Sequence, residues 1–251
     1  MRFAMRFLLV LLLLLLCAPA VAAIPVIELD EDTPNQVIAV EALIERFDDP
    51  DVIVRYVPWE HSLPAFVAYA KAAATFGDCA VGPLMVSLQD ENPQVRVAAA
   101  IALEAVGPAA IEAKPLLIEM LQSDDDRTII LACGIIRGIG PEAGGFTDLL
   151  IAQLSNENFH VQYWTCRALG GIGTNAVPAV GRLCVLLEDG VASVRRNSAT
   201  ALGDIAIGLD RKSQLDIIYA LQLATTDWSH CVCVAAREAL LKIENCKKNP
   251  C

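Results

Sequence analysis

A period of 33 residues governs the middle of this chain. The segment LQDENPQVRVAAAIALEAVG (88–107) aligns without gaps to LQSDDDRTIILACGIIRGIG (121–140), LSNENFHVQYWTCRALGGIG (154–173) and LEDGVASVRRNSATALGDIA (187–206). Leu88, Leu121, Leu154 and Leu187 share one column, and Leu103, Ile136, Leu169 and Leu202 share another. Val106, Ile139, Ile172 and Ile205 form a third, followed by Gly107, Gly140 and Gly173, with Ala206 as the exception. Units of this length cannot bury their own apolar faces, so they must stack on one another to build a continuous core.

Each unit reads as two helices. An apolar segment such as Pro83–Leu88 or Lys114–Leu121 ends the first, and a polar turn follows. The second helix then runs for about 13 residues to its glycine, with Val95, Ala99, Ala102, Leu103 and Val106 on one face of a 3.6-residue period. The closing glycine suits a left-handed cap, and the Asp/Asn/Ser cluster before the helix suits N-capping. The column Ala100, Cys133, Cys166, Ala199 admits only small side chains, as close stacking requires. Hydrophobic residues make up 55% of the chain and aromatics only 6%, which favours packed helices over a sandwich of strands.

A flanking unit ends in 66–77, and another ends in 235–244 after an insertion near 206–215. The expected fold is therefore all-α: a right-handed α-solenoid of about six stacked helix pairs over 61–245. Before it stands an acidic stretch, 24–60, with ten acids against Arg46 and Arg55, and after it a cysteine-containing tail, 246–251.

Residues 1–23 carry Arg2 and Arg6, an apolar run from Phe7 to Ala18, and small residues around Pro19. That is the pattern of a secretory signal peptide, so an extracytoplasmic protein, periplasmic or secreted, is expected, with no membrane span after cleavage. The formal charge of −11 repels phosphate backbones and disfavours nucleic acid as a partner. In an oxidising compartment Cys231, Cys233, Cys246 and Cys251 are disulfide candidates tying the tail to the last repeat. Cys133 and Cys166, one repeat apart, are expected to be buried free thiols.

The strings VRVAAAIALEAVG (95–107), VQYWTCRALGGIG (161–173) and VRRNSATALGDIA (194–206) resemble the VRxxAAxALGxIG signature of HEAT-repeat proteins, in particular the short HEAT-like repeats also found in phycobilisome lyases. The resemblance covers roughly 60–250 and implies a helical solenoid. HEAT-repeat deoxyhypusine hydroxylases bind iron through repeated His-Glu pairs. Here His61, His160 and His230 are followed by Ser62, Val161 and Cys231, so the pairs are missing.

No dinucleotide fingerprint, phosphate loop or nucleophile elbow stands in the chain, and no cofactor is expected. A partner surface is more legible. The outward column of the second helices is Val97, Ile130, Tyr163, Arg196, with Ile101, Trp164 and Arg167 beside it. An apolar and aromatic stripe rimmed by arginines reads as a protein- or peptide-binding groove. The expected function is an exported, non-enzymatic scaffold of unspecified oligomeric state. The alternatives are a metal or cofactor held at the Cys-rich C-terminus, or a lyase-like enzyme handling a chromophore.

Overall fold

The computed structural model describes residues 75–248, all helix and turn with no strand among them. Residues 1–23, 24–60 and Cys251 lie outside the described residues. The chain divides into two compact units at Ala109/Ala110. In the first, α1 (Asp78–Ser87) packs on α2 (Pro93–Val106). The second holds α3 (Lys114–Leu121), α4 (Asp126–Ile139), α5 (Thr147–Gln153), α6 (Phe159–Ile172), α7 (Val180–Leu186), α8 (Ala192–Ala206), α9 (Arg211–Ala224) and α10 (His230–Lys248).

In the second unit the helices form two layers. The long helices stack in the order α4, α6, α8, α10; on their other side α3 packs on α5 and α7 on α9. This is the expected solenoid of helix pairs. The columns found in the sequence are its core: Ile136, Leu169 and Leu202 are fully buried, as are Cys133, Cys166 and Ala199. The tail boundary expected at 245 falls inside α10, which continues through Cys246 to Lys248.

A shared turn begins each long helix. Ser123, Asn156, Asp189 and Asp227 each accept from the backbone N–H two residues on, at 3.1, 2.8, 2.7 and 2.7 Å. Asp125 and Asn158 then cap α4 and α6 through their side chains. At α8 the cap position is Val191, which has no such oxygen. There Arg195 closes the turn instead, donating to the carbonyls of Asp189 at 2.7 Å and Gly190 at 3.3 Å. In the preceding repeat Gln162 closes its turn in the same way, donating to Asn156 O at 3.0 Å.

The closing glycines have the positive φ expected of them, 78° at Gly107, 77° at Gly140 and 66° at Gly173. Their ψ lies between −135° and −141°, so they occupy the extended glycine-only region rather than the left-handed helical one. The chain leaves each glycine straight into a 3-10 segment, Gly107–Ala113, Gly140–Phe146 or Gly173–Ala179. Three stretches, Pro93–Leu121, Asp126–Gln153 and Phe159–Leu186, are long and apolar enough to cross a membrane by length and composition. Each is broken near its middle by one of these glycines, so none is a continuous rod.

Ala206 breaks the pattern because a Cβ cannot enter that region without strain. Helical geometry carries on into Ile207 (φ −55°, ψ −42°), and the extra residues before α9 follow from it. The buried Gln214 amide ties this end of the helix down, donating to Ala206 O at 2.9 Å, which also accepts from Leu209 N–H at 3.1 Å, and to Leu209 O at 3.0 Å.

Candidate partner-binding face

The outward positions of α4, α6 and α8 recur at the repeat spacing, so Ile130, Tyr163 and Arg196 share one face of the stack. Ile130 and Tyr163 are half-buried and Arg196 is exposed. Arg167, one turn after Tyr163, donates to its phenolic oxygen at 3.2 Å. The Arg167 guanidinium also stands 5.6 Å from the Tyr163 ring centroid and 4.7 Å from that of Trp164. The two rings meet edge to face at 5.6 Å. Such packing locks the aromatic side chains before any ligand arrives.

Trp164 is not part of the exposed stripe, contrary to the expectation. It is 4% exposed. One residue along a helix is a rotation of 100°, which carries position 164 from the outward face towards α4. There Arg137 reaches over it, 6.0 Å from the ring centroid. Ile101, expected beside the groove, is likewise core at 6% exposure, and Val97 is half-buried; both belong to the first unit. The face that the second unit presents is therefore Ile130, Tyr163, Arg167 and Arg196, with Trp164 as its floor.

Sequence reasoning passed over Arg137. Its column holds Glu104, Gly170 and Gly203, so only its length signalled that it could cover a neighbour. It also passed over the pair Arg195 and Asp227. Nε and Nη2 of Arg195 meet Oδ2 and Oδ1 of Asp227 at 2.7 and 2.9 Å, 32 residues apart, and the guanidinium stacks 4.6 Å from the ring of exposed Trp228. The hydrogen bonds from Arg195 hold the Asp227 carboxyl below the usual carboxylate range.

Among the described residues no disulfide joins Cys231, Cys233 and Cys246, and Cys251 lies outside the described residues. The reason is helical: Cys231 and Cys233 diverge by about 200° on α10, and Cys246 lies roughly 20 Å further along it. Among the described residues no group of three or more His, Cys, Asp or Glu side chains is placed to hold a metal.

Cys133 and Cys166 are buried and free, and burial pushes both thiols up to about 12. A thiolate is the reactive form, so both are expected to be inert in the folded protein. Iodoacetamide at pH 8 should label exposed Cys231 of the reduced protein and spare Cys133 and Cys166 until denaturant is added; peptide mapping of the alkylated sites checks this.

A family model described as HEAT repeats matches residues 67–137. No curated protein gives a significant match. Among solved structures, an engineered protein is 23% identical over 94% of this chain and 96% of its own, with a TM-score of 0.55. Kap121p is 16% identical over 86% of this chain, at a TM-score of 0.55, and this chain spans 26% of it. The complex of CpcE and CpcF of phycocyanin lyase from Nostoc sp. PCC7120 is 19% identical, over 64% of this chain and 98% of that one, at a TM-score of 0.49. Identities this low concern the fold alone. Residues 67–137 thus match HEAT repeats, and the stacked helix pairs of the second unit carry the same 33-residue repeat as an α-solenoid, the fold that the solved structures share.

Proposed function

We propose that this protein is an exported, non-enzymatic scaffold that grips a protein or peptide partner along the outward face of α4, α6 and α8. One observation carries the reading: Tyr163, braced by Arg167 and floored by Trp164, forms a preorganised aromatic and guanidinium shelf beside exposed Arg196. Tyr, Trp and Arg are the side chains that anchor interfaces, and a shelf already locked in place loses little entropy on binding. Export rests on residues 1–23 alone, and a mature mass beginning near Ile24 would test it.

A photocrosslinking amino acid at 163, introduced in the producing cells, is expected to trap a defined polypeptide. The same group at Glu119, exposed on α3, should trap none. Arg196→Ala should then weaken binding of that polypeptide, once purified, about tenfold with helicity unchanged, the usual cost of losing an interface anchor. Equal adducts from both positions, or none from 163, would overturn the reading. Trp164→Ala does not serve as a binding variant, because deleting a buried indole costs about 3–5 kcal/mol of stability.

A further inference from the structure

Charge is sorted within the second unit. The whole chain holds 30 Asp and Glu against 19 Lys and Arg. Yet within an arc of about 80° around the outward column, α4, α6 and α8 carry Arg127, Arg137, His160, Arg167 and Arg196 and no acid. The two acids bordering that arc are engaged: Asp126 accepts from Asn158 Nδ2 at 2.7 Å and Asp204 from Lys242 Nζ at 2.9 Å. Arg127 follows directly on Asp124, Asp125 and Asp126, whose carboxylates offset its charge. The positive charge of the face is therefore concentrated at Arg137, Arg167 and Arg196, one on each helix. Arg196 is exposed, and Arg137 and Arg167 are half-buried beside the Trp164 ring, 6.0 and 4.7 Å from its centroid. A ring engages the flat face of a guanidinium rather than the donors along its edge.

We infer that the partner presents an acidic stretch in extended form, laid across the three helices so that successive carboxylates meet Arg137, Arg167 and Arg196. The inference rests on the partner-binding reading above and supplies the partner's chemistry. Geometry sets the spacing of the acids. Stacked helices lie about 8–10 Å apart. Arg137 and Arg167 are 30 residues apart and Arg167 and Arg196 are 29, against a repeat of 33, so each step also drops three or four residues along the helix, about 4.5–6 Å. The arginine positions therefore follow one another at about 10–12 Å, and an extended chain rising about 3.3 Å per residue covers that with every third side chain. Residues between the acids lie against Ile130 and Tyr163. A nucleic acid fits this face less well, because it brings a charge with every nucleotide up to a chain of net charge −11.

The probe is a fluorescent synthetic peptide of repeated Glu-Leu-Ser, titrated at low salt with the protein as isolated from its producing cells and followed by anisotropy. Binding is expected, weakening as salt is added. Arg196→Glu, at an exposed site, should weaken it at least tenfold at unchanged helicity. A peptide of the same composition with its glutamates gathered at one end should bind several-fold more weakly, and single-stranded DNA of similar length should not displace the spaced peptide. No binding of the spaced peptide, indifference to Arg196→Glu, equal affinity for the two peptides, or displacement by DNA would each overturn the inference. The photocrosslink at 163 separates its failure from that of the reading beneath it. An adduct whose crosslinked stretch lacks acids ends the inference and leaves the scaffold standing, whereas no adduct ends both.

Discussion

Gly203→Ala is expected to destabilise this protein by about 1–3 kcal/mol, although the same change in an open helix position stabilises by up to about 1 kcal/mol. The sign is decided by α10. A Cβ at 203 would stand 2.6 Å from Ala239 Cβ and 2.9 Å from Ala239 Cα, and neither atom can move without shifting the helix that bears it. Gly171 is the equivalent case between α6 and α4, where a Cβ would lie 2.8 Å from Arg137 O and 3.0 Å from Arg137 Cα. Gly181 on α7 meets nothing within 4 Å and is the control. Thermal unfolding followed by circular dichroism should show Gly203→Ala and Gly171→Ala melting several degrees below the parent, at about 2–4 °C per kcal/mol for a chain of this size. Gly181→Ala should match or exceed the parent. Equal melting temperatures for all three would mean that the helices do not approach as described.

Asp227→Asn should cost about 3 kcal/mol, and the loss should be local. The side chains of Arg195 and Asp227 are 4% and 10% exposed, so removing the carboxylate leaves a guanidinium nearly buried with one strong partner gone. That guanidinium also holds the turn before α8, so it ties the last helix pair to the one before it. In a stack of nearest neighbours the effect stays near the broken tie. Hydrogen exchange should accelerate across 211–248 and remain slow across α4 and α6; acceleration spread evenly over all the long helices would contradict a nearest-neighbour stack. The pH dependence has a definite sign. The folded carboxyl lies below its ordinary value of 3.8, so the pair contributes fully above that value and its contribution fades as pH falls through the lower folded one. The stability gap between parent and Asp227→Asn should therefore be constant near neutrality and close in acid.

Much of the architecture is legible in the residue order, because register, helix ends and small-residue columns depend on local propensities repeated every 33 residues. Repetition turns a weak signal into a column. The Asp/Asn/Ser cluster expected to cap the long helices supplies Asp125 and Asn158 as caps of α4 and α6, and Gly140 and Gly173 turn the chain with positive φ. The candidate face is less legible. Ile130, Tyr163, Arg167 and Arg196 do share a face, yet Trp164, beside them in sequence, is core. Helical phase alone places position 164 on a flank, where a neighbouring side chain decides between solvent and burial. Arg137 decides it, from a column whose other members give no hint of that reach.

Periodicity is enough to establish that this chain is a stack of helix pairs, where each pair begins and ends, and which side chains make the continuous core. All of these follow from patterns within one repeat and its copies. Packing in three dimensions settles the remainder: how far ψ departs from a left-handed cap at the closing glycines, that Gln214 takes over where Ala206 replaces glycine, and that Arg195 reaches Asp227 to tie down the last pair. Those outcomes depend on where a long side chain lands 5 to 32 residues away, and a period of 33 carries no information about that.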